Sequence, residues 1–197
     1  LAGDMPLHDW MQDHTTCPNA MVDRITPRPD AGVRARVLAA TGREDGAAVM
    51  AEEFRQWVIA DDFRNGRPAW EQVGVQMVDS VAPFEEAKIR LLNASHSAIA
   101  WAGLLAGTSY IHEGVRDARI EALARRYTDE AIACLRPSPL DLGGYRDTVL
   151  ARFSNEALAD SNQRVAVDSA AKLREFVLPT LRERLAARAP LEGVAML

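Results

Sequence analysis

The sharpest change in the pattern of apolar and polar positions along this chain falls between Pro83 and Gly107. That stretch, PFEEAKIRLLNASHSAIAWAGLLAG, opens with Pro83 suited to a first helical position and with Glu85 and Glu86 against the positive end of the helix dipole; Gly107 is its natural stop. Its first half carries Lys88, Asn93 and His96, and its second half (Ile99, Trp101, Leu104, Leu105) reads as core. At about 100° per residue, Lys88, His96 and Asn93 project near 0°, 80° and 140°, so one cleft can receive all three. Leu92 lies inside the same arc, so the spacing is met equally by a rim lysine, a half-buried histidine and a solvated asparagine.

The same periodicity divides the rest of the chain. A short helical piece is expected from Leu1 to His14, followed by TTCPNAMVDRITPRPD, where Pro18, Pro27 and Pro29 break any regular element. Thr15 to Cys17 can close a strand and MVDRI can continue extended. Asp30 is placed to cap a helix through Val33, Val37 and Leu38 to Thr41, with Gly42 as its stop. Between about 53 and 80 the texture changes. Phe54, Trp57, Val58 and Ile59 favour a strand, NGRP a turn, and Val73, Val75 and Val78 a second extended run, which predicts a small β-ribbon. Its aromatics (Phe54, Trp57, Phe63, Trp70) suit packing better than a ligand cage.

Beyond the central helix, TSYIHEGVRD reads as a turn into a helix from Ala118 to Leu135. Asp141 caps another, LGGYRDTVLARF, ending near Ser154 and Asn155. Helical stretches are expected from Glu156 to Lys172 and from Phe176 to Ala189, with LEGVAML as a frayed or packed tail.

Charge and cysteines narrow the classes of function. The net charge of −5, with bases scattered among acids, argues against a nucleic-acid surface. Cys17 and Cys134 form no CxxC pair and have no neighbouring histidines, which suggests neither zinc nor a disulfide framework and fits a reducing cytoplasm. The apolar run after His96 is too short for the roughly 20 residues a membrane span needs. The first residues, LAGDMPLHDW, are no secretory leader and read as the middle of something longer. His112 beside Glu113 lacks the second histidine of a zinc-protease helix.

Two groups stay open at this level. Asp23 either pairs with Arg24 or caps the next turn, or it serves a site held in irregular backbone. Arg164, Asp168 and Lys172 recur every four residues, as a surface ladder does, or else present two cations to an oxygen-rich substrate.

Three separated blocks shift the balance between these readings: CPNAMVDRITP at 17–27, FRQWVIADDFRNGRPAWEQVG at 54–74 and FEEAKIRLLNASHSAIAWAGLLAG at 84–107. With RFSNEALAD at 152–160 and Arg164 and Lys172 after it, they resemble the long-chain polyol dehydrogenases, the family of mannitol 2-dehydrogenase and the hexuronate reductases. The signature is K-x4-N-x2-H at Lys88, Asn93 and His96. The resemblance implies a mainly α, multihelical substrate domain like the C-terminal domain of 6-phosphogluconate dehydrogenase. Residues 28–197 would form it, with the ribbon inside, and residues 1–27 would be the end of a dinucleotide-binding domain plus linker. No GxGxxG follows a strand here, so the N-terminal Rossmann domain is expected to be absent from this chain, along with a second asparagine donor that the family keeps there.

The chemistry the resemblance implies is metal-free interconversion of a sugar alcohol and a ketose with NAD or NADP. Lys88 would be the base, Asn93 the donor to the oxygen gaining charge, and His96 would orient that oxygen. Arg164 and Lys172 would hold the remaining hydroxyls, and Val22 and Asp23 would lie beside the nicotinamide and substrate. Arg164, eight residues before Lys172, favours a polyol such as mannitol over a hexuronate, whereas SAAK at 169–172 and Ala94 depart from the family's usual Gly and Ser. The alternatives are a fructuronate-type reductase and a helical module with no catalytic role. Partners expected are the substrate and the missing Rossmann domain, with neither nucleic acid nor membrane among them.

Overall fold

The computed structural model describes residues 5–29, 31–135 and 137–197, and most of them are helical, as the periodicity predicts. Helix α1 (Met5–His14) leads to strand β1 (Ala20–Asp23), and α2 (Ala31–Thr41) to β2 (Gln56–Ala60) and β3 (Gln76–Val78). The expected capping residue Asp30 and the first residues, Leu1 to Asp4, lie outside the described residues. Then come α3 (Ala82–Ala87), α4 (Ala94–Ala106), α5 (Ile111–Arg116), α6 (Ala118–Cys134), α7 (Leu142–Phe153), α8 (Asn162–Val165), α9 (Ser169–Lys172) and α10 (Leu178–Ala186).

The expected ribbon is a three-stranded mixed sheet in the order β1-β2-β3. Strand β1 runs antiparallel to β2, with Val22 opposite Trp57, and β2 runs parallel to β3, with Ile59 opposite Met77. NGRP therefore makes no hairpin. The chain swings out through a 3₁₀ turn at Trp70–Val73 and stops at Gly74, whose φ of 91° suits glycine. Phe63 and Trp57 both pack on Trp70, at ring centroid distances of 5.4 and 5.6 Å. Met21, Val58 and Val81 form a small core beneath the sheet.

The helical part is built around α4. Ile99 and Ala100 pack with Ile111, Val115, Ile120, Val149 and Phe153, while Ala94 joins Leu91, Tyr127, Ala131 and Val177 in a second cluster. The stretch expected as a turn before α6 is helix α5, because the Glu113 carboxylate accepts from the backbone N–H groups of Ser109 (2.8 Å) and Tyr110 (3.0 Å) at its start. The single helix expected over 156–172 is broken twice, at Ala159 and Asp168, which adopt left-handed φ of 45° and 61°. Asn155 and Ser161 compete with helix continuation by accepting bonds from Ala157 and Arg164 N–H. The chain after α9 passes through a π-helical segment, Leu173–Val177, just ahead of Pro179, which has no N–H to give. The tail is packed: buried Glu130 accepts from the N–H groups of Gly193 and Val194, both at 2.8 Å.

Candidate active site

The segment Lys88–Asn93, between α3 and α4, is π-helical rather than α-helical. Its i→i+5 bonding is seen at the exit, where Ala94 N–H donates to the Ile89 carbonyl. The wider turn brings residues five apart closer to one face, so Lys88 and Asn93 share a side more nearly than a regular helix would allow. The opposite face is anchored. Leu91 and Leu92 are buried, and buried Arg90 donates to Glu183 (2.9 and 3.1 Å), to Thr180 (3.1 Å) and to Glu86 (3.1 Å).

On the open side the Lys88 ammonium donates to the carbonyl oxygen of Val22, across a sequence distance of 66 residues. Strand β1 alternates outward and inward, so Val22 is 56% exposed beside that ammonium while Asp23 points inward. The half-buried Asn93 side-chain amide makes no hydrogen bond among the described residues, which leaves its N–H groups available. His96, one turn further on, stacks on Phe153 at 4.7 Å and 13° and sets Nε2 3.4 Å from the Asp160 carboxylate. Its side chain keeps 16% of its surface accessible. Burial pushes the imidazole down to about 4 and Arg164, Lys172 and Arg152 push the same way, against Asp160, so it is neutral at ordinary pH.

Asp160 is shared. The same buried carboxylate receives Arg164 in a bidentate contact, with Nε at 2.6 Å from Oδ1. Lys172 donates to the Val165 carbonyl, and its ammonium is shifted down by burial and by nearby Arg164. The i,i+4 surface ladder is not formed: Asp168 is the left-handed residue that ends the run, and the acid paired with Arg164 is Asp160. The structure thus brings His96, Arg164 and Lys172 into one electrostatic neighbourhood, and Lys88 and Asn93 onto one side of the π-turn.

Asp23 differs from its expected place. Its carboxylate is 1% exposed and fully engaged, accepting from Arg152 at 2.7 and 2.8 Å and from the Tyr145 hydroxyl at 2.8 Å. The cause is the strand alternation that turns Asp23 inward as Val22 turns outward, so Asp23 is not exposed to touch a substrate or cofactor. Arg152 also bonds Glu52 at 2.6 and 2.9 Å and lies 3.9 Å from the centre of the Phe54 ring. The residues missed in the sequence are Asp160, Arg152, Glu52 and Tyr145. Arg152 and Asp160 carried a signal, as the first and last residues of the RFSNEALAD block, with Asp160 four residues before Arg164.

Among the described residues no group of three or more His, Cys, Asp and Glu could hold a metal ion, and no helix is long and apolar enough to cross a membrane. For a nicotinamide ring the chain offers an apolar, exposed Val22 side chain next to Lys88, which fits one face of a planar ring, and no free carboxylate at Asp23.

Comparison with known proteins gives a consistent picture. The family model "Mannitol dehydrogenase C-terminal domain" matches residues 80–197, and "Mannitol dehydrogenase Rossmann domain" matches residues 2–72. Part of that N-terminal domain is therefore present, whereas only its closing end, within residues 1–27, was expected here. A D-arabinitol 4-dehydrogenase of Ralstonia nicotianae is 57% identical over 100% of this chain and 43% of its own length. The crystal structure of a D-sorbitol dehydrogenase in substrate-free form is 38% identical, with a TM-score of 0.90 over 98% of this chain and 40% of that one. The Pseudomonas fluorescens mannitol 2-dehydrogenase, in a ternary complex with NAD and D-mannitol, is 44% identical, with a TM-score of 0.84 over 96% and 39%. The chain spans less than half the length of these relatives.

Proposed function

The chain belongs to the mannitol dehydrogenase family, and we propose that it is the substrate-binding half of an NAD(P)-dependent polyol dehydrogenase that interconverts a sugar alcohol and its ketose. On this reading residues 2–72, which the Rossmann-domain model matches, are the closing part of the dinucleotide-binding domain, and residues from 80 onward are the helical substrate domain. The observation that carries the reading is the π-turn, with the Lys88 ammonium and the unbonded Asn93 amide on one side.

A nicotinamide cofactor, when bound, supplies the acceptor for the carbinol hydride. This chain's residues manage the proton and the charge. Lys88, in its amine form, takes the hydroxyl proton of the alcohol and returns it in the reverse direction. Asn93 donates its amide N–H to the same oxygen as charge grows on it, and such a donor is worth about 3 kcal/mol. His96, neutral and held between Phe153 and Asp160, orients that oxygen without adding a competing cation. Arg164 and Lys172 supply donors to the remaining hydroxyls. The two relatives that carry the names of D-arabinitol and D-mannitol enzymes support a linear polyol, with D-arabinitol first because that relative is the more similar in sequence. Two free cysteines support a reducing, cytoplasmic setting.

The test is NADH formation by the full-length protein with D-arabinitol, D-mannitol and D-sorbitol, with Lys88→Ala alongside. Oxidation of a polyol, abolished in the variant, is expected; this chain alone is expected to be inactive. Turnover of fructuronate in reverse without turnover of any polyol would reject the polyol reading.

A further inference from the structure

We propose that Arg152 is a positioning residue that ties the Lys88 side of the site to the His96 side; the inference rests on the polyol dehydrogenase reading above. Arg152 lies in the last turn of helix α7 and is 8% exposed. In one direction its guanidinium grips both oxygens of Asp23, the neighbour of Val22, whose carbonyl receives the Lys88 ammonium. In an extended strand a fixed inward side chain fixes the pleat, and so the direction in which the preceding carbonyl points. In the other direction Phe153, the next residue, stacks on the His96 ring at 4.7 Å. A single guanidinium therefore stands one residue from each of the two contacts that aim the proton-handling groups.

The surroundings require a planar fork rather than any cation. Four donations go to two carboxylates: the two to Asp23, Nε to Glu52 at 2.9 Å and an amino group to Glu52 at 2.6 Å. Phe54 lies against the guanidinium plane at 3.9 Å from ring centre to charge. Two acids around one cation leave an excess of negative charge, which is offset by the Tyr145 hydroxyl donating to Asp23 and the Ile25 N–H donating to Glu52 at 2.5 Å. Glu52 in turn holds the residues after Asp23: its carbonyl accepts from the Arg24 side-chain Nε at 3.0 Å, and its N–H donates to the Ile25 carbonyl at 3.2 Å. The strand carrying Val22 is thus clamped to the end of α7 at Asp23 and, through Glu52, just after it. Stability alone does not demand such a cluster, since apolar residues of the same shape often serve as well.

The experiment uses the full-length protein and the polyol it turns over, with Arg152→Lys, Arg152→Ala, Tyr145→Phe and Lys88→Ala. The readouts are kcat, KM, the pH dependence of kcat/KM and the thermal midpoint. Arg152→Lys is expected to lower kcat by roughly tenfold to a hundredfold through misplacement of about an ångström, with a smaller change in KM and a displaced pH profile. Added guanidinium should partly restore Arg152→Ala. Tyr145→Phe, which loses one hydroxyl bond and nothing else, should move kcat and the pH profile the same way by a smaller factor. A lowered thermal midpoint with unchanged kcat and pH profile per folded molecule would overturn the inference. Should the Arg152 variants not fold, an unchanged Tyr145→Phe enzyme would overturn it too. The polyol reading itself fails separately, if the wild type oxidises no polyol or Lys88→Ala is as active as it.

Discussion

The Lys88 ammonium reaches across 66 residues of sequence to the Val22 carbonyl, joining the π-turn of the helical part to the edge strand of the sheet. This bond fixes the place of the side-chain nitrogen, which the proposed mechanism sets against the substrate hydroxyl, and it requires no charge from the carbonyl side. A guanidinium at position 88 could keep both the positive charge and the bond, yet it does not give up a proton near neutral pH. Lys88→Arg is therefore expected to be as inactive as Lys88→Ala, with kcat lower by about 10²- to 10⁴-fold. Circular dichroism should show both variants folded. Retention of more than a tenth of the activity by the arginine variant would remove Lys88 from the role of base.

The Asn93 amide makes no hydrogen bond among the described residues, and the proposed mechanism aims it at the reacting oxygen. Truncation to alanine should lower kcat by about 10²- to 10³-fold and leave KM nearly unchanged, because the charge it meets is largest in the transition state. Asn93→Asp should be worse, since it sets a carboxylate against that developing charge. Steady-state kinetics with the preferred polyol check both, and an aspartate variant as fast as wild type would rule out the donor role.

Asp160 holds Arg164 in a two-point contact and faces His96 at 3.4 Å. Asp160→Asn removes the charge that fixes Arg164, so the expected effect is on substrate binding: KM for the polyol rises about tenfold and kcat falls less. The same change applied to Asp168, which makes no ion pair among the described residues and acts on Lys172 only through its field, should leave KM within about twofold. Equal effects at the two positions would restore the surface-ladder reading of Arg164.

His96 links the site to stability through pH. Its imidazole is pushed from 6.5 down to about 4, first by burial and then by Arg164, Lys172 and Arg152. Between those two values the unfolded chain binds a proton that the folded chain does not. Its contribution to stability is therefore fully present above pH 6.5 and declines as the pH falls toward 4, by on the order of 3 kcal/mol at most. Urea midpoints for the wild type should fall over that window more steeply than those of His96→Asn. Parallel slopes would show that the histidine titrates at its ordinary value.

The sequence made the helices and the candidate stretch legible because their signals are local: Gly42 and Gly107 as stops, Asp141 as a cap, and the K-x4-N-x2-H run. It did not reveal the π-turn, because no residue within KIRLLN is a local signal for one, and the partners of Arg90 and Leu91 there, Glu183 and Tyr127 among them, lie far along the chain. The strand partner of β2 was hidden for the same reason: Val22 and Trp57 are brought together by the sheet, while NGRP looks like a sufficient local turn. Asp23 shows the limit most clearly. Its position in the chain suggests a site residue, and its inward pleat gives the carboxylate to Arg152, a residue 129 positions away.

The tail offers a test of packing away from the chemistry. A Cβ at position 193 would stand 2.7 to 2.9 Å from backbone atoms of Arg126 and Tyr127, which cannot rotate aside. Those atoms belong to α6, whose Tyr127 is 0% exposed and packs with Ala87 and Leu91 beneath the π-turn. Gly193→Ala must then move the tail outward and break the two donations to buried Glu130. Loss of about 1–3 kcal/mol is expected from the overpacking alone, with more if the Glu130 carboxylate is left without partners. Because the bonds anchoring Arg90 come from α10 and Glu86 rather than from the tail, kcat per folded molecule should stay within about twofold. Thermal melts together with active-site titration separate the two effects. A variant that melts with the wild type would mean that the tail is not seated on α6 in solution.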